Sequence, residues 1–308
     1  MSGRSLVQRL IEALATLVML SVVVFALSRA TGNPLDLLLP SDASVEDYER
    51  VGKSLGLDRP AIVQYAIFAA NAVRGDLGRS LRSGEPVASL LLQRLEGSLP
   101  LALLALLLSL SFGIPLGVLA AVHRGTSVDT AAGVVAILGQ SMPTFWVGMA
   151  LVQVFAVGLG WFPSGTMSGV SSIILPATTL ALNGVAVIAR LVRSAMLDVL
   201  HADFVKLARA KGLSEATVIW RHALRNALLA VSSYAGILFV SFLTLAIVVE
   251  VVFAWPGIGQ LTYSAILNRD FPVVQGVTLL GGLLTVLVSL VVDMLAYYLD
   301  PRIRYADL

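Results

Sequence analysis

Five basic side chains, Lys206, Arg209, Lys211, Arg221 and Arg225, crowd into the stretch "DFVKLARAKGLSEATVIWRHALRNAL" of a chain in which only 13% of residues are charged. Ammonium and guanidinium groups stay protonated near neutral pH, so such a cluster can hold anionic lipid or a protein partner rather than run acid–base chemistry. Residues for covalent or metal chemistry are missing elsewhere. There is no cysteine, and His123, His201 and His222 lack metal-ligand spacing. No GxSxG or HExxH occurs. "VGKS" at 51–54 ends like a phosphate loop, but Asp47 stands where its first glycine belongs. "PGIGQL" carries Gly257 and Gly259, yet Thr262 replaces the third glycine of a dinucleotide fingerprint. These patterns count against a membrane enzyme, and nothing points to a nucleic-acid partner.

The elements that must position the cluster are set by hydropathy. Of 308 residues 57% are hydrophobic, and the mean hydropathy is +0.87, well above an ordinary soluble domain. Six apolar stretches are long enough to cross a bilayer as helices: 10–28, 98–122, 132–160, 173–192, 227–250 and 273–299. The expected fold class is therefore an all-α membrane protein with six transmembrane helices. Arg4 and Arg9 before the first run, with "ALS" at 26–28, also resemble a signal peptide. The run is long for that role, and its removal would leave an odd number of spans. Lys and Arg gather at one set of helix ends, at Arg4, Arg9, Arg124, Arg190–Arg225, Arg302 and Arg304, whereas 161–172 and 254–272 hold only Arg269. The positive-inside rule then puts both termini and the basic stretch in the cytoplasm.

Three regions follow: residues 1–29 as N-terminus and first span, 30–97 as an extracytoplasmic helical insert, and 98–308 as the remaining five spans, with the basic loop at about 199–226. Within the insert, Ser44 with Asp47 forms a helix-start signal, Pro60 fits a first turn and Gly75 a stop. Within the loop, Asp203 reads as cap and Gly212 as stop of a short helix with Phe204, Leu207, Ala208 and Lys211 on one face. Ser214 then caps a second helix, with Glu215 at its positive end and Trp220, Ala223, Leu224, Ala227 and Leu228 along its apolar face.

Ionisable residues inside spans are costly and tend to face protein or water. Glu12, Glu250 and Asp293 qualify, each near a helix end, and helix packing stays open as their role beside a pathway role. Gln140, Ser141, Pro143 and Asn183 are candidates to line a pathway, with interhelical hydrogen bonding as the alternative for the amides. The scarcity of midplane carboxylates counts against a secondary transporter, which with a channel is the alternative from a different class.

The loop closely resembles the cytoplasmic "EAA" signature of ABC-importer permeases, in the variant of the dipeptide/oligopeptide branch, "ARAKGLS...RHALRNAL". Gly212 matches the signature glycine, Ala208 its second alanine and Leu224 its leucine. Lys206, Leu207, His222 and Arg225 depart from the general pattern as that branch does. "LGLDRPAIVQY", "GDLGRSL", "SMPTFWVG", "EVVFAWPGIGQL" and "DPRIRY" resemble B-type subunits of the branch, so the likeness runs over nearly the whole chain.

The resemblance implies a type I importer permease fold in a bacterial plasma membrane. It implies a homologous C-type permease, two cytoplasmic ATPases that bind ATP and Mg, and an extracytoplasmic substrate-binding protein as partners, with this chain non-catalytic and without a cofactor of its own. Asp203, Phe204, Lys206, Leu207, Ala208, Arg209, Ala210, Lys211 and Gly212 would be the coupling helix. Arg221, His222, Leu224, Arg225 and Asn226 would form the second half of the loop. Glu250, Trp255, Pro256 and Gly257 would contribute to an outer gate, with an interfacial anchor as the other reading of Trp255. Di- or oligopeptides are the expected cargo; a nickel chelate, glutathione or haem is the alternative.

Overall fold

The computed structural model describes residues 3–30, 35, 39, 43–54 and 56–299. Arg302, Arg304 and the tail motif from Asp300 lie outside them, as do the side chains of Arg4 and Asp293. Among the described residues the chain is helical, with one isolated β-bridge between Arg79 and Pro86. Its long helices are α1 (Gly3–Ala30), α4 (Val87–Val122), α7 (Ile174–Leu200), α10 (Leu224–Val252) and α12 (Phe271–Leu299). Shorter ones are α2 (Val45–Ser54), α3 (Ala61–Val73), α5 (Ser127–Ser141), α6 (Thr144–Leu151), α8 (Asp203–Ala210), α9 (Glu215–Thr217) and α11 (Ile258–Leu267).

Among the described residues five helical stretches are long and apolar enough to cross a membrane, and six if one bent pair is a single span, as the six-span expectation has it. The stretch expected as one continuous span over 132–160 is broken into two arms, α5 and Thr144–Gly158, bent by 102°, the second arm being α6 continued by the π-helical Val152–Gly158. The break falls at "SMPTF". Pro143 offers no N–H and keeps the residue before it out of helical conformation, and Met142 sits at φ −78°, ψ 129°. Apolar content alone did not register that one proline. By contrast Pro100 and Pro115 lie within an unbroken α4.

Contacts divide the chain into two compact units. One comprises Ser98–Pro256 and the described residues from Leu287 to Leu299; the other comprises the described residues from Gly3 to Gly97 with Gly257–Val286.

The first unit is built on α7, of which Leu175, Leu180, Ile188, Val192 and Met196 are all nearly inaccessible. Small residues let the backbones meet, the general solution for helices that gain nothing from leaving lipid. Gly113 and Gly117 of α4 face α7 so closely that a Cβ at Gly117 would lie 2.5 Å from the Ala189 carbonyl oxygen. Across the same seam Gly184 receives Ser109 and Phe242. The Ser109 hydroxyl donates to Ala105 O at 2.7 Å and reaches Ala181 O at 3.3 Å. Arg193 of α7 holds Asp129 of α5 through two bonds of 2.6 and 2.8 Å.

In the second unit, Ser44 and Asp47 exchange bonds as a reciprocal cap at the start of α2. Pro60 is the N-cap of α3 rather than a first-turn residue. Gly75, at φ +82°, follows the end of α3 in the left-handed conformation that stops a helix. The segment "GDLGRSL" is tied down by Asp270, which is 4% exposed. Asp270 accepts from the Ser80 hydroxyl at 2.5 Å and from Leu81 N at 3.1 Å. A second apolar cluster, Val87, Leu91, Ala265 and Val273, lies in the same unit.

Candidate functional site

The basic loop folds as a short helix, a glycine turn and a second helix. The N-cap of α8 is Ala202 and not Asp203; Asp203 occupies the first helical position, where its charge suits the positive helix end and pairs with Lys206 at 2.9 Å. At the other end Gly212 takes φ +77°. Gly212 N donates to Arg209 O at 2.9 Å and Leu213 N reaches Ala208 O at 3.4 Å, the paired bonds of a Schellman stop. Lys211, the C-cap, donates its N–H to Leu207 O. Ser214 caps α9 through Thr217 N.

Arg209 spans the turn and grips Glu215 with two bonds of 2.8 and 3.2 Å, the forked geometry that fits guanidinium to carboxylate. That hydrogen bonding holds the Glu215 carboxyl below its ordinary value of 4.5 and raises Arg209. The folded value being the lower one, the staple is present above the ordinary glutamate pKa and is lost as pH falls through the lowered value. Arg209→Gln is expected to move the Glu215 midpoint back up towards 4.5, read by carboxyl NMR of selectively labelled protein. An unchanged midpoint would show that the pair does not form in solution.

The packing face of α8 differs from the expected one. Val205 and Ala208 are buried and belong to the core cluster of the first unit, together with Val218, Ala223 and Leu224. Phe204 and Leu207 are instead exposed, at 42% and 56%, and Lys206, Arg209, Ala210, Lys211 and Gly212 are exposed around them. Sequence reasoning missed Val205, whose signal was the i, i+3 pairing with Ala208. It grouped Ala208 with the large apolar residues because a short helix carries too few turns for periodicity to choose a face.

The second helix also departs from regular spacing. Val218–Ala223 is a π-helical segment between α9 and α10, and its wider turn puts Val218 and Ala223, five residues apart, on one buried side. Trp220, expected on the buried face, is 48% exposed as a result. Arg221 and Arg225 are exposed, His222 is half-buried, and Asn226 donates its side-chain N–H to His222 O at 2.8 Å. The loop therefore presents Phe204, Leu207, Leu213 and Trp220 as exposed apolar residues amid basic ones.

The other candidates do not gather in one place. Gly139 of α5 approaches Leu182 and Ala186 of α7, so Gln140 and Asn183 sit along that helix crossing. Gln140 Nε2 is enclosed with no hydrogen-bond partner among the described residues. Ser141 and Pro143 are exposed at the break. At the end of α10, Glu250 is wholly buried and accepts from the Ser98 hydroxyl at 2.6 Å. The Glu250 carbonyl accepts from Trp255 N at 2.8 Å. Trp255 is 1% exposed, which overturns its reading as an interfacial anchor. The turn between them puts Ala254 at φ +48°, a strained value for a side-chain-bearing residue. Thr166 N reaches over to Phe253 O at 2.9 Å, and a Cβ at Gly165 would lie 2.6 Å from that oxygen. Pro256 is the last residue of the Ser98–Pro256 segment of the first unit, and Gly257 is the N-cap of α11.

Within the first unit, long apolar helices thus meet along a small-residue seam and carry a stapled basic loop between two of them. The family profile of binding-protein-dependent transport system inner membrane components matches residues 113–305, and the N-terminal profile of such membrane components matches residues 3–102. The chain belongs to this family, and it is a multi-pass membrane protein. It is 40% identical to the glutathione transport system permease protein GsiC of Escherichia coli, over 97% of this chain and 98% of that one. It is 36% identical to the oligopeptide transport system permease protein AppB of Bacillus subtilis, over 97% and 99%. A solved structure of the methionine ABC transporter MetNI in an inward-facing conformation shares the fold, with a TM-score of 0.62 at 20% identity, over 70% of this chain and 99% of that one.

Proposed function

We propose that this chain is one of two permease subunits of an ATP-driven importer of di- or oligopeptides in a bacterial inner membrane, and that α8 couples it to a cytoplasmic ATPase. The observation that carries the coupling role is the contrast within α8. One side is locked into the bundle through Val205 and Ala208, and the other offers Phe204 and Leu207 outward. A surface of that kind transmits displacement, because the Schellman stop and the Arg209–Glu215 staple deny it freedom to move alone. The two ATPases bind and hydrolyse ATP with Mg, and a substrate-binding protein delivers cargo on the opposite side. Full-length similarity to oligopeptide and glutathione permeases supports a peptide-like cargo. Glutathione, itself a modified peptide, is the second reading.

The test is uptake of labelled dipeptide and of labelled glutathione in proteoliposomes holding this subunit, its partner permease, the ATPases and the binding protein. ATP-dependent accumulation of dipeptide supports the assignment. ATP hydrolysis stimulated by glutathione alone moves the cargo to the second reading. Uptake that persists without ATPases would overturn the importer itself.

A further inference from the structure

Within the second unit, α1, α11 and α12 enclose a groove of about 650 Å³, a size in the range of ligand-binding clefts. Its walls are apolar: Leu20, Val24 and Leu27 from α1, Ile266 from α11, and Phe271 and Val274 from α12. The polar residues on the walls are spent on the protein. Ser28 takes a bond from Gln275 at 2.5 Å and donates to Phe25 O, and the Thr278 hydroxyl donates to Val274 O at 2.8 Å. The exception is Arg269, an exposed residue lining the same groove. No carboxylate among the described residues pairs with it. Its neighbour Asp270 is turned to Ser80 and Leu81. Arg269 also holds φ +53°, a conformation that side-chain-bearing residues adopt sparingly.

The position of this residue matters. Membrane-spanning α1 ends at Ala30 and α12 begins at Phe271, so Arg269 stands where helices meet the membrane boundary while the apolar walls run to membrane depth. Apolar walls ending on one unpaired cation match the two parts of a phospholipid, its chain and its phosphate.

We infer that this groove binds one phospholipid with an anionic headgroup, an acyl chain lying between α1 and α12 and the phosphate region held by Arg269. The lipid then acts as a wedge between the first and last spans. The inference depends on these helices crossing the bilayer and not on the cargo.

Native mass spectrometry of the assembled transporter, titrated with phosphatidylglycerol and with phosphatidylcholine of the same chains, tests it. The expected result is one phosphatidylglycerol retained in preference to phosphatidylcholine. Arg269→Asn keeps a residue that tolerates the left-handed backbone. It is expected to weaken phosphatidylglycerol about tenfold, the size of one charge-assisted bond, and to erase the preference. Val24→Trp fills the groove and is expected to release both lipids. Equal retention of the two lipids by the unaltered transporter, or full preference in Arg269→Asn, would overturn the site. So would a photo-crosslinker at Val274 that captures a protein chain instead of lipid.

Discussion

Ala208→Glu abolishes coupling: ATP-driven uptake in reconstituted transporter is expected to fall by at least about tenfold while the subunit still assembles. The reason is burial. Ala208 is 7% exposed and sits in the same cluster as Val218 and Ala223. A carboxylate there loses its water without gaining a partner, at a cost on the order of 3 kcal/mol or more. That exceeds what a helix of eight residues can hold by its own turns, so α8 detaches while the long helices keep their packing. Ala208→Ser, a smaller intrusion, is expected to retain most uptake. Uptake within twofold of the unaltered transporter for Ala208→Glu, in stably assembled protein, would refute the coupling role given to this face.

The second large effect lies at the end of α10. Ser98→Ala and Glu250→Ala each remove one half of the bond in a fully buried pair, and losing a hydrogen bond to a buried charged group costs about 1–3 kcal/mol. Both are expected to lower the denaturation midpoint in detergent, Glu250→Ala more so because it also opens a cavity. The double variant should lose less than the two single losses combined, with a coupling of about 0.5–3 kcal/mol. Strict additivity would mean that the 2.6 Å bond contributes nothing in solution. Trp255 sits on this pair through the Glu250 carbonyl, so transport measured beside stability separates the two roles. A Ser98→Ala transporter that binds its delivery protein yet leaks cargo marks a gate, and one that loses stability alone marks a structural pin.

Much of this architecture was legible from hydropathy and punctuation. Runs of apolar residues defined the long helices because a bilayer demands about 20 of them in succession. Gly212, Ser214 and Gly75 announced their turns because left-handed backbone and helix caps admit few residue types. The capping pair Ser44–Asp47 was equally readable, being a contact across three residues.

The tertiary structure decided what depends on distant partners. The 102° bend at Pro143 was not predictable from the proline itself, since Pro100 and Pro115 are carried inside a continuous helix; the neighbours decide whether the backbone can tolerate the loss of one bond. The side of α8 that turns inward was set by the core that Val205 and Ala208 join, with Val218, Ala223 and Leu224, a partner set that eight residues of local pattern do not contain. The links Ser98–Glu250, Ser80–Asp270 and Asp129–Arg193 join residues far apart in the chain. Composition and local pattern determined that this protein is a helical bundle in a membrane with a basic knob between two spans. Only the folded chain determined which face of the knob is anchored and which is free, because that choice belongs to packing and not to periodicity.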